Sequence, residues 1–260
     1  MNPLFYLQKS TTVRAVMALV ALHQFTRTRP RQLPKLGQTE LPQHTWRIPA
    51  EGHQLMAYAW GSIDRPQKTA LLAHGWNGNA WQLYPIAEHL RKRGYTVLAF
   101  DQIGHGRSTG KRTTFPQFAR MIEKVARDRD LDLFVGHSMG AAAGALALSR
   151  GLPAREAVLI APPSDLRHFL NKANLPPELQ RQLERTIEKS EKIELAEITA
   201  EKIAHRLTQK GLVIVDKGDK ETGLDSARAY AAWKNATLIV TEGLGHNRIL
   251  SSPELLSRLQ

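Results

Sequence analysis

The chain has 260 residues, no cysteine, and Lys+Arg 36 against Asp+Glu 24. The absence of cysteine excludes a disulfide framework, a thiolate metal site and a Cys nucleophile. The length suits one large α/β unit with a substantial core, and 42% hydrophobic with 23% charged residues is a globular rather than a disordered composition.

The basic excess is uneven. Met1 to Gln38 contains Lys9, Arg14, Arg27, Arg29, Arg31 and Lys35 and no acid. No nucleic-acid-binding motif accompanies this charge, so no nucleic-acid partner is expected. Ala15 to Leu22 is an unbroken apolar run, too short to span a bilayer. Val13, Val16, Met17, Val20 and Gln24 share one helical face, which predicts a helix docked on the body of the protein. An interfacial anchor on anionic lipid and an export signal are the alternatives, although His23-Gln24-Phe25 offers no small-residue cleavage site. The cysteine-free chain suits a reducing compartment, and the cytoplasm is the expected location. Thr28 to Pro42, with Pro30, Pro34 and Gly37, reads as an extended linker, so residues 1–42 form a basic helix and linker.

Gln43–Ile48 and Gln54–Trp60 alternate in polarity around a Glu51-Gly52 turn, as an antiparallel edge should. Strand and helix then alternate. Thr69–Ala73 is a strand, and His74-Gly75-Trp76-Asn77-Gly78 follows it. Leu83, Ile86, Ala87 and Leu90 mark a helix ending at Gly94, before the strand Tyr95–Phe100. Phe118, Met121, Ile122 and Val125 mark the next helix. Leu131–Val135 and Ala157–Ala161 are further strands around an Ala-rich helix, Ala141–Leu148. This alternation argues a mostly parallel sheet with helices on both faces and ligands beyond the carboxyl strand ends.

Gly136-His137-Ser138-Met139-Gly140 lies where one of these strands turns into its helix. A Ser between glycines at such a reversal is a nucleophile elbow, with its hydroxyl exposed above the helix N-terminus. A Ser hydroxyl needs a base, and the base an orienting acid. His246, in Gly243-Leu244-Gly245-His246-Asn247 after the strand Thr237–Thr241, is the candidate base. The acid should follow the strand Leu212–Val215, where Asp216 and Asp219 both qualify. Asp219 is favoured because it lies on the turn made by Gly218, whereas Asp216 suits bracing of that turn. Asp225 is a third candidate, better placed in the first turn of a helix. Gly75 permits a tight turn that aims backbone N–H groups at an oxyanion. The N–H groups of Trp76 and Met139 are the candidate donors. His74 is expected to brace this loop rather than act as a base.

Taken in order, His74-Gly75-Trp76, Phe100-Asp101-Gln102-Ile103-Gly104-His105-Gly106-Arg107-Ser108, the Ser138 elbow, Asp219 and Gly245-His246 resemble the landmarks of the α/β-hydrolase superfamily. The resemblance runs from about Thr45 to the C-terminus and is closest to small lipase- and esterase-type serine hydrolases. It implies a hydrolase core at 43–162 and 211–260, a small helical cap at 163–210, and a structural role for His105. Val215-Asp216 replaces the His-Gly often found there. A Ser at the elbow argues against the dehalogenase and epoxide-hydrolase branches. Leu166, Phe169, Leu170 and Leu175 are candidates to line an acyl pocket or to fill the cap core. Trp76 and Trp81 lean towards an apolar acyl group. The implied activity is cleavage of a small-molecule carboxylic ester through an acyl-enzyme, with no metal or organic cofactor. Thioesterase, amidase or peptidase, carbon–carbon hydrolase and non-catalytic scaffold are the alternatives.

Overall fold

A computed structural model describes residues 19–29, 40–64, 66–172 and 175–259. Eight strands form one sheet: β1 (His44–Ala50), β2 (His53–Trp60), β3 (Lys68–Ala73), β4 (Tyr95–Asp101), β5 (Leu131–His137), β6 (Ala154–Ile160), β7 (Lys210–Asp216) and β8 (Ala236–Thr241). The order is β1-β2-β4-β3-β5-β6-β7-β8. β1 and β2 are antiparallel to their neighbours, and the remaining pairs are parallel. This is the mostly parallel α/β-hydrolase sheet.

Both faces of the sheet are covered, which explains the near-continuous apolar runs of its central strands. Alternate residues point to opposite faces. Leu71, Leu98, Phe100 and Phe134 enter one core with the helices α2 (Phe115–Ala126) and α3 (Met139–Ser149). Ala70, Leu72, Val97 and Val135 enter the other, under α1 (Tyr84–Lys92). Helix α3 is apolar all round and buried along nearly its whole length. Its small residues let it lie close to the sheet: a Cβ on Gly144 would sit 2.1 Å from the Phe134 ring.

The region after β6 contributes α4 (Leu166–Lys172), α5 (Pro177–Glu191) and α6 (Ala200–Ala204). Their apolar sides, including Leu183, Ile187 and Ile203, belong to the same core as α3. Short helices α7 (Gly223–Arg228), α8 (Gly245–Arg248) and α9 (Pro253–Leu256) complete the fold. Asp225 lies in the first turn of α7. Trp81 does not face an acyl group. It is packed in an aromatic cluster with Tyr58 and Trp60 of β2 and with Tyr84.

The N-terminal segment holds a helix on the body, but Val20 and Gln24 of the expected docking face are exposed. Residues 19–25 are helical, and Ala21, Leu22 and Phe25 pack on the core. Val13, Val16 and Met17 lie outside the described residues. Thr28 and Arg29, read above as the start of a linker, are bonded to the body instead. Thr28 donates its N–H to the Lys111 carbonyl (3.0 Å) and its hydroxyl to the Gly104 carbonyl (2.7 Å). Thr113 N–H donates to the Thr26 carbonyl, and Arg27 pairs with Arg112 in an antiparallel bridge. Local composition cannot reveal this, because the bonds join residues 48 or more positions apart. Among the described residues, no helix is long and apolar enough to cross a membrane.

Thr28 and its bond to the Gly104 carbonyl are buried. Thr28→Val keeps the shape but leaves the Gly104 carbonyl short of a donor. It is expected to lower stability by about 1–2 kcal/mol, read as a fall in the urea midpoint.

Candidate active site

Strand β5 turns into α3 at Ser138, which has φ 53 and ψ −124, a left-handed conformation that a side chain rarely adopts. Close backbone contacts hold it there. A Cβ on Gly136 would lie 2.5 Å from Ala141 Cα, and one on Gly140 would lie 2.4 Å from the Ala73 and His74 carbonyls. Ser138 N–H donates to the Ile160 carbonyl at 2.8 Å, and its own carbonyl accepts from Ala141 and Ala142 N–H.

The loop after β3 lies directly against this turn. A Cβ on Gly75 would approach Ser138 Cβ to 2.8 Å, so glycine lets the loop reach the hydroxyl. Two buried imidazoles shape the loop. His74 donates from Nδ1 to the Gly75 carbonyl (2.7 Å) and accepts Gln102 N–H on Nε2 (3.0 Å). His105 donates from Nδ1 to the Ile103 carbonyl (2.9 Å) and accepts Asn77 N–H on Nε2 (3.0 Å). Among the described residues, no protein oxygen accepts the N–H of Trp76 or Met139. Those two donors flank Ser138 from the loop and from the start of α3.

The two carboxylates after β7 have separate tasks. Asp216 Oδ1 accepts Gly218 N–H (2.9 Å), while its Oδ2 accepts the Thr241 hydroxyl and Leu244 N–H (both 2.9 Å). It therefore ties its own turn to the loop carrying His246. Burial acts to raise its pKa, but these hydrogen bonds outweigh burial and lower it. Asp219 Oδ1 accepts Glu221 and Thr222 N–H, and Oδ2 accepts the Thr222 hydroxyl (2.8 Å) and His246 Nδ1–H (2.8 Å). Burial again opposes its charge, yet His246 and Thr222 hold it well below the ordinary carboxylate range. With Nδ1 bound to Asp219, His246 has Nε2 as its accepting atom.

Ser138, His246, Trp76 and Met139 all line one cavity of about 390 Å³. Asp219 reaches His246 from behind and does not line it. Of the four cap candidates, Leu166 and Phe169 face the cavity, while Leu170 is fully buried core and Leu175 packs against the core. Several lining residues carried no sequence signal: Phe25, Thr26 and Arg29 from the N-terminal segment, Phe115 from α2 and Ile187 from α5. Glu221 was also missed, although it stands two residues beyond Asp219. Its Oε2 is 3.5 Å from His246 Nε2. His137, the variable residue of the elbow, donates from Nε2 to the His246 carbonyl at 2.9 Å. The β5 end thus holds the His246 backbone as well as the Ser138 turn.

Residues 64–213, more than half of the chain, match the family model described as serine aminopeptidase, S33. The chain belongs to this hydrolase family. Among curated relatives, the monoacylglycerol lipase of Mycolicibacterium smegmatis is 30% identical over 98 residues, 34% of this chain and 35% of that protein. The monoglyceride lipase of Rattus norvegicus is 29% identical over 128 residues, 45% of this chain and 41% of that protein. The chain thus spans about a third to two fifths of the length of these two relatives. An esterase of Pyrococcus furiosus has the same fold, with a TM-score of 0.67 at 22% identity, over 89% of this chain and 96% of that one.

The bracing imidazoles give the site a pH signature. Both act as acceptor and donor, which requires the neutral ring. Burial lowers His74 to about 4, and burial together with neighbouring His74 lowers His105 to about 3, from an ordinary 6.5. Between about pH 6.5 and 4 the unfolded chain binds protons at both rings and the fold does not. Stability therefore falls as pH falls through this window, by about 1.4 kcal/mol per pH unit for each ring. Urea midpoints measured from pH 4.5 to 7 should show this slope, and His105→Gln should remove one ring's share of it.

Proposed function

We propose that the chain is a serine hydrolase that cleaves carboxylic esters by acyl transfer. Ser138 Oγ attacks the ester carbonyl as His246 Nε2 takes its proton. The N–H groups of Trp76 and Met139 hold the oxyanion. His246 returns the proton to the leaving alcohol, and a water that it activates then releases the acid from Ser138. Asp219 keeps His246 in the Nδ1–H tautomer and stabilises its charged form. The observation that carries this reading is the convergence on one cavity of Ser138, His246 and two unfilled N–H donors, with Asp219 bonded to the far side of the imidazole.

The cavity also bears on the substrate. Its apolar side chains, among them Trp76, Phe115, Leu166 and Phe169, suit an acyl chain, while Asn77, Gln82 and Asn247 suit a polar alcohol. At about 390 Å³ the cavity lies at the small end of the range for ligand pockets. An ester of a medium-length fatty acid with a small alcohol fits, in keeping with relatives named as monoglyceride lipases.

Hydrolysis of p-nitrophenyl esters from acetyl to palmitoyl tests this. Turnover peaking at a medium chain is expected. Ser138→Ala should reduce kcat by at least about 1000-fold, and Asp219→Asn by on the order of 1000- to 10,000-fold. Asp216→Asn should cost stability more than Asp219→Asn does, because it releases the His246 loop. Absence of turnover on every ester, with no labelling of Ser138 by a fluorophosphonate, would overturn the reading.

A second reading concerns where the lipid is met. Leu19 and Val20 are exposed at 58% and 56%. Close by in sequence, exposed Arg27 stands directly across a bridge from exposed Arg112. Like charges directly opposite repel, and an anionic surface relieves this. Apolar and basic side chains together suit peripheral contact with anionic lipid. The chain should sediment with phosphatidylglycerol vesicles and not with phosphatidylcholine vesicles. Arg27→Gln with Arg112→Gln should weaken that binding by about fivefold per charge.

A further inference from the structure

The cavity is not built by the family-matched residues alone. Phe25, Thr26 and Arg29 line it, yet they precede β1 and lie well before residue 64, where the family match begins. This strap is fastened along its length. Thr26 and Thr28 are buried, and the Thr26 carbonyl and the Thr28 N–H and hydroxyl bond to the 104–113 loop, while the Thr26 hydroxyl donates to the Leu22 carbonyl. Phe25 packs its ring on the core that also holds Phe115 and Met139. At its far end, Arg29 N–H donates to Asn77 Oδ1 at 2.7 Å. Asn77 has a left-handed φ of 58, and His105 accepts its N–H. The strap therefore joins the loop that carries Trp76, one residue away.

Beside the main cavity, a second void behind Leu166 and Phe169 shares Phe115, Met139, Leu166 and Phe169 with it. That void is about 10 Å³, no more than the space of a single water. It admits no alkyl chain unless the cap rearranges. The space open to the chain is the main cavity, and there the strap supplies one part of the wall.

We propose that residues 25–29 form the wall that sets acyl-chain length, with Phe25 as the specificity-determining side chain and a straight alkyl chain as its ligand. The proposal rests on the ester-hydrolase reading above. It makes a segment outside the family-matched residues 64–213 part of the binding site. Removing the Phe25 ring opens room for further methylenes without touching Ser138, Asp219 or His246. Enlarging it closes that room.

The test is the p-nitrophenyl ester series on the full chain, with Phe25→Ala, Phe25→Leu and Phe25→Trp beside Phe169→Ala. Wild-type turnover is established first. In Phe25→Ala the optimum is expected to move to longer acids, with the decanoate-to-butanoate ratio of kcat/KM rising at least about tenfold. Phe25→Leu should move it less, and Phe25→Trp should move it towards shorter acids. This graded, two-way response separates a wall from a general loss of packing, which lowers all esters together. An optimum unmoved by the Phe25 series, or moved only by Phe169→Ala, overturns the wall and leaves the ester reading standing. A wild type that turns over no ester overturns the ester reading and the wall with it.

Discussion

Everything at this site depends on a backbone crowded too closely for side chains. Ser138 is held at a positive φ because three glycines, at 75, 136 and 140, let a loop, a strand and a helix meet around it. The contacts that a Cβ would make there, between 2.4 and 2.8 Å, are shorter than real carbon atoms tolerate. The strain of the turn is stored by its neighbours: Ile160 accepts the Ser138 N–H, and the first turn of α3 donates to its carbonyl. A hydroxyl raised on such a turn stands clear of the sheet at the start of a helix, where N–H groups point outward. The geometry that raises the hydroxyl therefore also leaves the Met139 N–H beside it, the oxyanion donor of the proposed mechanism.

Two pairs of similar residues are separated in task by their surroundings. Asp216 and Asp219 are three residues apart and both ionised. One spends its lone pairs on backbone and hydroxyl donors that join two loops. The other turns one oxygen to His246. His74 and His246 both lie near Ser138, but His74 is wholly enclosed, with both nitrogens engaged by backbone groups, and cannot accept a proton from a substrate. His246 has one nitrogen on a carboxylate and the other towards the cavity. Hydrogen-bond accounting, more than residue type, divides structural groups from reactive ones.

The strap at 25–29 shows how a site acquires features outside its family core. The sheet and its loops set the position of Ser138 and its partners, and the matched residues 64–213 contain the Ser138 turn and the loop that carries Trp76. The remaining wall of the cavity is assembled from segments far apart in sequence: the strap, the start of α2 and the inner face of α5. Such additions can change what fits without disturbing the atoms that react.

Sequence alone determined the parts that depend on local backbone chemistry. The Ser138 elbow was legible because only glycine fits beside so sharp a reversal. The parallel sheet was legible because strands buried on both faces are written as apolar runs. That Asp219 rather than Asp216 bonds to His246 accords with its place on the turn at Gly218, the bracing contacts of His74 accord with its place on the loop after β3, and those of His105 with the family resemblance. Tertiary structure decided what no local pattern encodes. Thr28 and Arg29 sit in a proline-rich stretch that reads as linker, yet partners 48 to 83 residues away capture them. Trp81 and Trp76 look alike in sequence, but one enters an aromatic core and the other the cavity. Leu166 and Leu170 lie a turn apart on α4, and only the first reaches the cavity. In each case burial is settled by which distant surface arrives to cover a side chain, a property of the packed chain rather than of the residue and its neighbours.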